Sequence, residues 1–104
     1  MMKRHSRLSY FVIALLPFAG GGAYAQNPEN GQRLSERWCA GCHAINASSK
    51  SRAAPSFATI AAKEKITSEM IASFLRLPHA TMPNSPLTPN DAADIAAFIM
   101  AMKK

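Results

Sequence analysis

Apolar positions recur at helical spacing in four stretches of the chain, and no segment alternates like a strand. In "NPENGQRLSERWC" the i, i+3, i+4, i+7 pattern falls on Gly31, Leu34, Ser35 and Trp38, and Asn27, Pro28 and Glu29 suit a cap, a first helical position and a first turn. A helix over 28–40 follows, with those four residues inward. In "TPNDAADIAAFIMAMKK" Thr88 caps, Pro89 takes the first position and Asp91 stands where a capping-box acid belongs. Its apolar stripe is Ile95, Phe98, Ile99 and Met102, and Lys103 and Lys104 complement the dipole at its far end. Two shorter helices fit between: 56–63, with Phe57, Ile60 and Ala61 inward, and 68–76, capped by Thr67, with Ile71, Phe74 and Leu75 inward. The fold class is all-α.

Gly31 is the odd member of its face, because a helix-interior glycine costs roughly 1 kcal/mol against alanine. Either it is tolerated by accident, or another helix crosses there and needs its backbone close. The connectors differ in character. "NASSKSRAAP" is small, polar and basic, with little role expected beyond connection, whereas "LPHATMPNSPLTP" carries prolines at 78, 83, 86 and 89 and is irregular yet stiff.

Charge and length change the picture once the N-terminus is read. Residues 1–25 have the form of a secretory signal: Lys3, Arg4 and Arg7, then "LSYFVIALLPFA", then small residues around Ala23-Tyr24-Ala25. The apolar run falls short of the roughly 20 residues that span a bilayer, and Pro17 interrupts it. Cleavage leaves one domain, 26–104, which is 79 of the 104 residues, with no stable membrane insertion and with a periplasmic address through the Sec pathway. The domain keeps nine basic and six acidic residues, a net +3. With no Lys/Arg run and few aromatic residues, that is not the signature of a nucleic-acid binder. A chain this short barely supports a core from side chains alone, and a metal or covalent staple is common at that size.

Such a staple is offered by "RWCAGCHAIN", which holds the only two cysteines, Cys39 and Cys42, with His43 adjoining. Three chemistries use this spacing. A redox dithiol wants its first cysteine at the start of a helix near a βαβ unit, and here the pair stands at a helix's end with no strands. Zinc needs more ligands, and adjacent Cys42 and His43 rarely reach one tetrahedral centre. Haem uses every member: thiols three apart form thioethers with two vinyl groups, and the next imidazole binds iron. Met82 is then the candidate second ligand, a soft thioether in a stiff loop. His79 is the rival, and Met70, Met100 and Met102 fall in helical stripes as core filler.

These features in this order resemble a class I monohaem cytochrome c: Gly31 eight residues before the first cysteine, Cys39-Ala40-Gly41-Cys42-His43, Pro55 in "APSF", Met82-Pro83, and Phe98 in "AAFI". The resemblance implies a small fold of about four helices round one covalently bound haem c, with Cys39 and Cys42 as anchors, His43 as proximal and Met82 as distal ligand. It also implies that the Pro55 carbonyl accepts from the His43 imidazole, and that the terminal helices cross at Gly31 and Phe98. The stretch between His43 and Met82 is shorter than in longer cytochromes, leaving a haem edge less covered. The expected function is one-electron transfer, not enzymatic catalysis, between redox proteins: a donor dehydrogenase and an acceptor oxidase or reductase. Two alternatives stay open: a haem subunit of a periplasmic dehydrogenase or sulfur-oxidising complex, and a five-coordinate catalytic or gas-binding haem protein.

Overall fold

The computed structural model describes residues 2, 10–14, 25–77 and 82–104. Most of the leader expected over 1–25 lies outside these residues, and so does His79. Four α-helices follow in chain order, α1 (Pro28–Trp38), α2 (Phe57–Ala61), α3 (Ser68–Leu75) and α4 (Pro89–Met100). Among the described residues there is no strand, and no helix is long and apolar enough to cross a membrane.

Each helix begins where a side chain can satisfy the unpaired N–H groups of a first turn. Asn27 accepts from the Asn30 N–H, Ser56 from Thr59, Thr67 from Met70, and Thr88 from Asp91. At α4 the Asp91 carboxylate returns the bond to the Thr88 N–H, closing a capping box. Helix α4 is the hub on which α1, α2 and α3 all pack. The core gathers Ile45, Phe57, Ala61, Ile71, Ile95, Ala96 and Ile99.

The α1–α4 crossing gives Gly31 its reason. A Cβ there would overlap the main-chain carbonyl oxygen of Asp94 and lie 2.9 Å from Phe98 Cβ, so the two backbones meet with no room for a side chain. Ser35, fully buried one turn on, donates to the Gly31 carbonyl at 2.7 Å. Asp94, 1% exposed, faces the N-terminus of α1. Its carboxylate accepts from the Asn27 N–H (2.8 Å) and the Asn30 side-chain amide (2.7 Å), a charge-assisted clamp at the positive end of the α1 dipole.

Several expected placements are corrected. Trp38 is 40% exposed rather than inward, because the crossing is centred a turn earlier, at Gly31 and Ser35; its ring lies under the Arg37 guanidinium, 4.9 Å from the centroid. Phe74 is 54% exposed and Met70 53%. Ile71 and Leu75 take the face of α3 turned to the core, which leaves Met70 and Phe74 on a neighbouring stripe at i, i+4. Helix α2 stops at Ala61, not at 63, and the freed Lys63 carbonyl accepts from Lys103 Nζ at 2.9 Å. The loop 46–55 does more than connect. Asn46 binds Ser48 and Ser49 side chains in a knot, Ser51 Oγ donates to the Gly41 carbonyl (3.1 Å), and the Ala54 N–H donates to the Cys42 carbonyl (2.9 Å).

Candidate cofactor site

Cys39 is the residue on which α1 ends, its N–H closing onto the Ser35 carbonyl. The chain then turns tightly, with the Cys42 and His43 N–H groups both donating to the Cys39 carbonyl, at 3.2 and 2.9 Å. This turn presents the two thiols from neighbouring backbone positions. Cys42 is exposed and Cys39 half-buried, and they are unbridged. Burial pushes the Cys39 thiol above its ordinary range, with a Ser35 hydrogen bond opposing. A thiol raised by burial at the C-terminal end of a helix is the reverse of a redox-active dithiol, which needs a stabilised thiolate.

His43 is held from two sides. Its Nδ1 is hydrogen-bonded to the Pro55 carbonyl at 2.5 Å, with the imidazole N–H donating, and its ring lies against Phe57 with centroids 5.5 Å apart. The backbone around it is clamped too, because Ala54 N–H donates to the Cys42 carbonyl and Phe57 N–H to the Ala44 carbonyl, both at 2.9 Å. With Nδ1 committed as a donor, the tautomer leaves Nε2 with its lone pair, the state in which an imidazole ligates a metal. Cys39, Cys42, His43 and Pro55 thus form one cluster. Met82 is half-buried in the non-helical stretch 82–88 that leads into α4.

The residues present fit a haem. They supply two adjacent thiols, an oriented imidazole with a free nitrogen, and a half-buried thioether on a separate segment. They do not fit a zinc site, since no three His, Cys, Asp or Glu side chains converge among the described residues. Sequence reasoning missed Phe57 as the neighbour of the imidazole; the signal was its place two residues after Pro55.

An all-α fold hung on one helix, with a C-x-x-C-H turn at the end of another, defines a small haem protein. The family model for cytochrome c oxidase, cbb3-type, subunit III matches residues 26–99. Cytochrome c-552 of Bradyrhizobium diazoefficiens is 38% identical over 104 residues, which is 98% of this chain and 99% of that protein. No solved structure matches. The chain belongs to the cytochrome c family as a monohaem member. Its cofactor is covalently bound haem c, and it is an electron carrier that works with redox partners.

Proposed function

We propose that the protein is a periplasmic one-electron carrier in which Cys39 and Cys42 anchor the haem, His43 Nε2 and Met82 sulfur are the axial ligands, and Pro55 fixes the imidazole. When bound, the haem supplies the redox centre, its iron alternating between ferric and ferrous. The chain supplies attachment, orientation and a fixed ligand field. The observation that carries this reading is the His43–Pro55 hydrogen bond, which sets the tautomer and aim of the ring. Two axial side chains leave no open position for a substrate, so the protein carries electrons and is not an enzyme. The leader-like residues 1–25, with their basic start and Ala23-Tyr24-Ala25 end, support export to the periplasm and removal before Gln26. The partners are then a dehydrogenase that donates and an oxidase or reductase that accepts.

Met82→Ala tests the ligation. In holoprotein it should vacate the sixth position, abolish the sulfur-to-iron band of the ferric form and lower the reduction potential, axial identity being a main lever on it. An unchanged spectrum in Met82→Ala, with a changed one in His79→Ala, transfers the ligand to His79. A wild-type spectrum already five-coordinate favours the catalytic or gas-binding alternative.

A further inference from the structure

Phe57 is 3% exposed, and its ring gives the His43 turn a second link to the α1–α4 crossing, besides the one that runs along α1 through Ser35 and Cys39. On one side its ring meets the His43 imidazole at 5.5 Å and an interplanar angle of 47°. On the other it meets Phe98 edge-on, at 6.1 Å and 68°. Phe98 in turn stands at the α1–α4 crossing, its Cβ 2.9 Å from where a side chain on Gly31 would begin. The Phe57 main chain is fixed independently by its N–H bond to the Ala44 carbonyl at the start of α2, and burial of the ring between His43 and Phe98 restrains its side-chain torsions.

A single hydrogen bond at Nδ1 holds one edge of an imidazole but leaves the ring free to rock about that bond. A second, bulky contact removes the rocking, and interiors packed to crystal-like density transmit such constraints instead of absorbing them. We propose that Phe57 is a positioning residue for His43, setting the plane of the imidazole, and that Phe98 acts through it to tie that plane to the crossing of α1 and α4. The inference rests on the reading that His43 binds iron. It deepens that reading by making the ligand's orientation, and with it the redox equilibrium, depend on two aromatic residues that do not touch the iron.

The test compares ferric holoprotein of wild type, Phe57→Leu, Phe98→Leu and the double variant by low-temperature electron paramagnetic resonance, midpoint potential and thermal unfolding. Leucine keeps apolar bulk and loses the flat ring. Phe57→Leu should change the spread of g-values, which reports the axial plane, and shift the ferric–ferrous equilibrium at least twofold, about 18 mV at 59 mV per tenfold for one electron. Phe98→Leu should move both readouts in the same direction by less. The double variant should match Phe57→Leu alone, the non-additivity expected when one residue works through another. A lowered unfolding midpoint with wild-type resonance and potential in Phe57→Leu makes Phe57 a plain core residue and overturns the proposal. If that variant yields no holoprotein, an unchanged resonance and potential in Phe98→Leu overturns it equally. Wild type lacking any low-spin imidazole-ligated signal overturns the ligation reading and this inference together, whereas an intact wild-type signal unmoved by the variants overturns the inference alone.

Discussion

Placing a methyl group at Gly31 should destabilise the protein, although alanine is the better helix former. By intrinsic propensity Gly31→Ala would gain about 1 kcal/mol. Against that gain stands the α4 backbone: the new Cβ would overlap the Asp94 carbonyl oxygen and lie 2.5 Å from its carbon and 2.9 Å from Phe98 Cβ. A flexible side chain could swing away, but a helical carbonyl cannot, so α1 and α4 must separate along their contact. Overpacking costs about 1–3 kcal/mol where side chains can adjust, and here the upper part of that range or beyond applies. The net loss for Gly31→Ala is then roughly 1–2 kcal/mol, and Gly31→Val, with two further methyls and a smaller propensity gain, loses more. For a domain of this size about 1 kcal/mol moves the midpoint by about 4–8 °C. Thermal unfolding of ferric holoprotein, followed by far-ultraviolet circular dichroism and checked in guanidinium chloride, measures it. Gly31→Ala equal to wild type within about 0.3 kcal/mol, or more stable, refutes the close crossing.

Asp94→Ala should cost about 1.5–3 kcal/mol for each charge-assisted hydrogen bond lost, with Asp94→Asn losing less, as read from denaturant midpoints; an Asp94→Ala midpoint equal to wild type removes the clamp from the account. Replacing both Cys39 and Cys42 by serine should let acid–acetone extract the haem that wild type retains, and colour that extracts freely from wild type contradicts thioether attachment through these residues. Reduction by an acidic partner should slow as salt rises, largely levelling once the Debye length falls to about 3 Å near 1 M. Charge reversal at the exposed Lys63 and Lys65 together should lower both the rate and its salt dependence. A rate indifferent to salt favours apolar docking or a permanently bound subunit.

Much of the fold was legible because its signals are local. Asn27-Pro28, Thr67 and Thr88-Pro89 announce helix starts through bonds that each turn makes with itself, and the Gly31 anomaly left a crossing as one of two explanations, which the family resemblance favoured. The C-x-x-C-H segment was legible for the same reason, its chemistry lying in five consecutive residues. What escaped depends on partners far along the chain. Asp94 was given no role from the sequence, yet it is buried because Asn27 and Asn30, more than sixty residues upstream, bring donors to it. Its spacing of four from Phe98 was the available signal. Phe74 and Met70 read as core and are exposed, since periodicity marks an apolar surface without saying what covers it. The loop 46–55 offered no periodicity, and its hold on Gly41, Cys42 and His43 runs through backbone groups and serine hydroxyls that pattern reading does not see.

Whether His43 and Met82 hold the iron of a haem c carrier is decided by a potentiometric titration of matured holoprotein followed through its visible spectrum. A single reversible one-electron transition is expected, about 59 mV per tenfold change in the ratio of forms, low-spin six-coordinate in both states, with the sulfur-to-iron band present when ferric and absent in Met82→Ala. A high-spin spectrum in either state, or a band that survives the loss of Met82, would contradict it.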